Sequence, residues 1–291
     1  LVVMLMSFAS VVFAATSVDP NTWKNQPGDK IKTDDITNFS ASLINVISIV
    51  GSAAAIITLI VLGIKYMMGS AEEKAEYKKV LPGYFIGAII QTGFWIGKFN
   101  HIDIRDYGSG NAGTTNTMRT LGKKAGFITY FMDAFKSCIT AIIIHFIYGS
   151  NSDISEMLLI LYGGFGVVLG HNFPFYLGFK GGKGIAATSG LVISLILFPK
   201  YCFMFTIFGM VTFGLVTKFS RYVSLGSITG IIGFFIEFVI WGLVGWLPLN
   251  NNEFIEASIV VLLFVILGVA RHSGNIKRLI NGTERKIGEK K

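Results

Sequence analysis

"ITGIIGFFIEFVIWGLVGWLP", residues 228–248, carries one ionisable side chain, Glu237, in a run long enough to cross a bilayer as one helix. Comparable uncharged or nearly uncharged runs occupy 82–97, 127–149, 157–177, 184–199, 201–217 and 254–270, and a further one spans 36–64. Several are shorter than the roughly 20 residues of a full crossing, but tightly packed helices cross at such lengths when the bilayer thins locally. With 52% hydrophobic and only 14% charged residues, the chain reads as an all-α, polytopic helical membrane protein. The expectation is a seven-span bundle over residues 82–291 plus one extra N-terminal span.

A net charge of +8 raises the question of nucleic acid, but the lysines and arginines gather in loops between apolar runs and no nucleic-acid motif accompanies them. Membrane lipids are the expected surroundings. Loop 98–126 carries Lys98, Arg105, Arg119, Lys123 and Lys124 against Asp103 and Asp106, and basic residues also mark 178–183, 218–227 and the tail from Arg271. These four are expected in the cytoplasm, whereas the acidic connectors near 150–156 and in "PLNNNEFIE" are expected outside. Cys138 and Cys202 lie in apolar runs and read as buried free thiols.

The glycine-rich polar loops therefore share one face. "GFKGGKG", residues 178–184, packs four glycines and two lysines into seven residues at the mouth of a helix. Glycine lets backbone N–H groups converge on an anion, the helix N-terminus adds partial positive charge, and Lys183 adds a full one. A Walker A loop is excluded, because three residues separate Gly178 from Gly182 and Gly184 stands where Ser or Thr is required. "SGNAGTTN", 109–116, offers hydroxyls and amides, with Arg119 downstream as a fork for phosphate. "HSGNIKRLINGTE", 272–284, follows the last apolar run. Each alone also reads as a solvated loop, a snorkelling turn or a lipid-facing basic tail, whereas one phosphate-handling site accounts for all three.

"GSGNAGTTN" with "RTLGKKAG", then "GHNFPFYLGFKGGKGIAAT", then "HSGNIKRLINGTE" closely resemble the three motifs of the PlsY-type glycerol-3-phosphate acyltransferases, and "RYVSLGSI", 221–228, resembles that family's loop before its sixth span. The resemblance covers about residues 82–291. It implies a bacterial inner-membrane enzyme with a cytoplasmic active site, moving an acyl chain from acyl phosphate to the 1-hydroxyl of glycerol 3-phosphate. The products are lysophosphatidic acid and phosphate, in the first step of phospholipid synthesis. It also implies no cofactor, no metal, and a functional link to an enzyme that forms acyl phosphate. No His, Cys, Asp or Glu cluster at metal-ligand spacing is visible in the sequence.

By motif position, Ser109 and Arg119 match the first motif's essential serine and arginine. Gly178, Gly181, Gly182 and Gly184 with Lys183 match the second motif's phosphate loop, with His171 and Asn172 at its start. His272 and Asn275 match the third motif's polar pair, Glu284 a structural carboxylate, and Ser227 a substrate-contacting serine. Since an acyl phosphate is already activated, the expected tasks are aligning the hydroxyl and neutralising charge. His272 as general base and proton transfer to a substrate phosphate both stand open. Asp133 and Lys136 read as an i, i+3 pair, Glu237 as a helix-packing residue flagged for function, and His145 as interfacial.

Residues 1–15 read as a truncated secretory signal, with a signal anchor as the alternative. Residues 16–81, a polar segment, a span and the charged helix "KYMMGSAEEKAEYKKVLPGY" closed by Pro82 and Gly83, resemble a TrbC/VirB-type conjugative pilin subunit. A cleaved leader and the loop charges then assign opposite orientations to the span at 82–97. Two other classes compete: a non-catalytic secretion-channel component, motivated by the pilin-like start, and an anion transporter, motivated by many spans and phosphate-friendly loops but disfavoured because transporters usually place their polar sites near the midplane rather than in loops.

Overall fold

The computed structural model describes residues 81–148, 155–198 and 201–289. The expected signal-like segment, the pilin-like segment and the span at 36–64 lie outside the described residues. The described residues form helices and loops and no strand. The helices are α1 (Leu81–Ile89), α2 (Thr92–Phe99), α3 (Thr114–Leu121), α4 (Lys123–Tyr148), α5 (Glu156–Asn172), α6 (Ile185–Ser194), α7 (Met204–Ser220), α8 (Val223–Leu243), α9 (Asn251–Arg271) and α10 (Ser273–Ile280).

Among the described residues four stretches are long and apolar enough to cross a membrane: Lys123–Ile147, Glu156–Leu177, Val223–Leu243 and Asn251–Arg271. The run at 228–248 thus becomes a helix that starts and ends five residues earlier, because Gly245 takes a left-handed turn and Pro248 follows it. The run at 184–199 yields the ten residues of α6 and a 3-10 turn at Leu195–Leu197. At 1.5 Å per residue α6 rises about 15 Å, half of a hydrocarbon core.

The middle of the bundle is α5. Between Met157 and Asn172 only Tyr162 is not fully buried, the pattern of a helix that is apolar all round because protein surrounds it. Its small residues set the packing distance. Gly83 and Gly87 of α1 lie against the backbone of Gly163 and Val167, and Gly170 lies against Tyr84, an approach that a side chain at any of these positions would block. Phe165 and Phe264 meet edge to face at 5.1 Å, tying α5 to α9.

The expected span at 82–97 is two helices. The chain breaks at Ile90 and Gln91, and carbonyls freed in an apolar setting require new donors. Gln91 supplies them from within, its Nε2 donating to Gly87 O at 3.0 Å and His171 O at 3.1 Å. Lys136, fully buried on α4, donates to Ile90 O at 2.9 Å.

Candidate active site

The loop between α2 and α3 is built by one buried amide. Asn116 accepts from the Ser109 backbone N–H at 2.8 Å and donates to Ile104 O and Tyr107 O, both at 2.9 Å. This folds "SGNAGTTN" into a cradle that presents the Ser109 side chain. Arg105 fixes the loop from its other end: it grips Asp103 through both carboxylate oxygens, donates to Leu177 O at 3.1 Å and lies over the Phe94 ring. The Arg105 hydrogen bonds hold the Asp103 carboxyl down at about 2.

The glycine-rich loop is likewise held from outside. Gly182 has its α-carbon against the His171 ring, where a Cβ would collide with Nε2. Gly184 caps α6 at φ 83, a conformation that an L side chain rarely adopts. The Arg271 guanidinium, at the end of α9, donates to Gly181 O at 3.1 Å and Gly182 O at 2.9 Å, and it packs over Phe173.

Lys183 projects to Asn275 Oδ1, and Asn275 Nδ2 donates to Glu284 Oε1 at 2.7 Å. Glu284 also accepts from Ser224 Oγ at 2.8 Å and Arg278 Nε at 2.7 Å. Burial pushes the Glu284 carboxyl up, and these three hydrogen bonds more than reverse that, holding it below the ordinary glutamate value. Burial brings the Lys183 ammonium down to about 8 and, with the Lys183 charge beside it, brings His272 down to about 4. His272 is therefore neutral at pH 7. Its Nδ1 faces Gly268 O at 2.8 Å, an atom that only accepts, so Nδ1 carries the proton and Nε2 an open lone pair.

These segments meet around a polar cavity of about 150 Å³. Of the residues expected in the site, Ser109, Arg119, Lys183, Gly184, Ser227, His272, Asn275 and Glu284 all line it. Gly178, Gly181 and Gly182 do not. Gly178 is an exposed left-handed residue closing the 3-10 turn Phe175–Leu177, and the other two shape the loop from behind through their contacts with His171. Glu237 is buried with Oε1 unpartnered among the described residues, and it lines neither this cavity nor the next. Asp133 and Lys136 do pair, at 3.3 Å. His145 meets Glu156 at 2.7 Å.

A second cavity of about 170 Å³, lined almost wholly by apolar groups of α6, α7 and α8, adjoins the first. Tyr130, Ile185, Phe213 and Ser227 belong to both linings. Asp133, Ser224 and Arg271 escaped the sequence reading of the site. The signal for Asn116 and His171 was present, since both lie inside quoted motifs, but nothing local assigned them a partner. Among the described residues no group of three His, Cys, Asp or Glu side chains is placed to hold a metal ion.

Residues 79–282 match the family model described as glycerol-3-phosphate acyltransferase. The chain is 39% identical over 215 residues to the glycerol-3-phosphate acyltransferase of Alkaliphilus metalliredigens, covering 72% of this chain and 95% of that protein. It is 34% identical over 209 residues to that of Streptococcus thermophilus strain LMD-9, covering 72% and 91%. Its fold is similar to the crystal structure of PlsY, an integral membrane glycerol 3-phosphate acyltransferase, in the glycerol 3-phosphate form. The TM-score is 0.60 at 33% identity, over 74% of this chain and 96% of that one. The lysophosphatidic acid form gives 0.58 at 32%. A match of this extent settles the lineage of the membrane bundle and of the motifs that line its polar cavity: the chain belongs to the glycerol-3-phosphate acyltransferase family.

Proposed function

We propose that the chain transfers an acyl group from acyl phosphate to the 1-hydroxyl of glycerol 3-phosphate, releasing lysophosphatidic acid and inorganic phosphate. The observation that carries this reading is the junction of the two cavities. A basic, hydroxyl-lined chamber suits phosphate and glycerol, and an apolar chamber beside it suits an alkyl chain, so the acyl carbon falls at the shared residues Tyr130, Phe213 and Ser227.

Lys183 and Arg119 neutralise the phosphoryl oxygens, and Ser109 with the N-terminus of α6 adds neutral donors. The glycerol oxygen forms a bond to the acyl carbon as the carbon's bond to the phosphate oxygen breaks. His272 Nε2 accepts the hydroxyl hydrogen bond and aligns the attack. With a pKa of about 4, His272 is a weaker base than a phosphate whose second pKa is about 6, so the proton passes to the departing phosphate. The Glu284 carboxylate holds Asn275, and Asn275 holds Lys183, in register.

The charge of the basic loops supports a chamber on the cytoplasmic side of a bacterial inner membrane. Purified full-length chain supplied with labelled glycerol 3-phosphate tests the donor: labelled lysophosphatidic acid is expected with acyl phosphate, and product only with an acyl thioester overturns that assignment. Single cysteines at Lys180 and Asn251, in a chain lacking Cys138 and Cys202, test the sidedness. An impermeant thiol reagent on intact cells is expected to label position 251 and spare 180, and the opposite pattern overturns the orientation.

A further inference from the structure

Lys136 is completely buried, and its ammonium has four neighbours within hydrogen-bonding distance: Ile90 O at 2.9 Å, Gly87 O at 3.4 Å, Asp133 Oδ1 at 3.3 Å and His171 Nδ1 at 2.7 Å. A lysine ammonium has three protons and no lone pair. Nδ1 of His171 therefore accepts, and the ring proton sits on Nε2. Nε2 has no hydrogen-bond partner among the described residues, while His171 lines the polar cavity. Gly182 packs beside that edge of the ring, where only a residue without a Cβ leaves room for Nε2. The two histidines of the cavity thus present opposite faces, an N–H from His171 and a lone pair from His272.

We propose that His171 is a further substrate-binding residue, whose Nε2–H donates to a phosphoryl oxygen seated under the Gly182–Lys183 segment, and that the buried Lys136–Asp133 pair fixes its tautomer. The Asp133 carboxylate balances the Lys136 charge, and it lies 3.8 Å from His171 Nδ1. The trio is neutral as a whole, so what it offers the cavity is a directed donor with no unbalanced charge to bury. This inference rests on reading the cavity as the acyl-transfer site.

The first test uses the wild-type full chain in lipid nanodiscs with 15N-labelled histidine, observed by solid-state NMR. The expected His171 signals are an unprotonated Nδ1 and a protonated Nε2, with Nε2 alone shifting as inorganic phosphate is added. A protonated Nδ1, or an Nε2 indifferent to phosphate that inhibits the enzyme, overturns the proposal. The second test is kinetic. His171→Asn keeps an acceptor for Lys136 and removes the distal donor, whereas His171→Gln places an amide N–H near the Nε2 position. The Asn variant is expected to raise KM for a phosphate substrate about tenfold or more at unchanged thermal stability, with the Gln variant closer to wild type. A rise confined to glycerol 3-phosphate or to acyl phosphate identifies which phosphate His171 holds, and wild-type KM for both in the Asn variant overturns the proposal. Failure of the wild-type chain to make lysophosphatidic acid would count against the function and leave the phosphate-shift measurement readable.

Discussion

Arg271 reaches back from the end of α9 to hold the carbonyl oxygen of Gly182 at 2.9 Å, coupling the last long helix to the glycine-rich loop. The second hydrogen bond, to Gly181, makes the guanidinium a two-point brace. The backbone N–H groups of Gly181 and Gly182 donate in turn to Asn172 O at 3.2 Å and His171 O at 3.0 Å, so the loop is pinned to the end of α5 as well.

Arg271→Ala removes both charge-assisted contacts, each of which contributes about 1.5–3 kcal/mol. The expected result is a KM for a phosphate substrate raised tenfold or more. Arg271→Lys is expected to recover only part of this, because an ammonium lacks the planar fork. Unchanged KM in the alanine variant would show that the loop needs no brace.

The Lys183 ammonium titrates at about 8, below its ordinary value because it is buried. A base with a lowered pKa is charged below that pH and neutral above it, so the cation that neutralises phosphate is lost as pH rises through 8. The pH profile of kcat/KM for glycerol 3-phosphate is expected to fall on that limb, since this quantity reports the free enzyme. Lys183→Arg is expected to carry the limb to higher pH, and a limb that stays in place in that variant assigns it to another group.

Gly209 and Gly230 line the apolar cavity with room beside them. A Cβ at Gly209 meets nothing within 4 Å, and one at Gly230 first meets Phe213 Cβ at 3.9 Å. Leucine at either position is expected to fill the alkyl chamber while leaving the helix intact. Excluding roughly two methylenes, at about 0.8 kcal/mol each, amounts to about a tenfold loss of kcat/KM for long acyl phosphates relative to short ones. Equal chain-length profiles for wild type and both variants would place the alkyl chain elsewhere.

The sequence disclosed what depends on local pattern. Uncharged runs marked the helices, loop charge grouped the basic segments, and the motifs held most residues that line the cavity, from Ser109 to Asn275. It did not disclose what depends on contacts between distant segments. The break at Gln91 is invisible in a run that reads as one span, because the break is stabilised by Gly170 and His171 across the α1–α5 interface. Asn116 read as one more amide for substrate, yet its hydrogen bonds are spent folding its own loop. Arg271 read as one charge in a basic tail, and its partners lie 89 and 90 residues away. Gly178 read as part of the anion loop because glycines in sequence carry no mark of which face they turn to the ligand.

The most direct measurement counts products of the full-length chain in lipid nanodiscs, supplied with acyl phosphate and labelled glycerol 3-phosphate, beside a Lys183→Met variant of matched thermal stability. Acyl transfer at this site predicts one inorganic phosphate released per lysophosphatidic acid formed, with the variant at least about a hundredfold slower, as loss of a buried charge-assisted contact to phosphate requires. Phosphate release without lysophosphatidic acid, or a variant as fast as wild type, would contradict it.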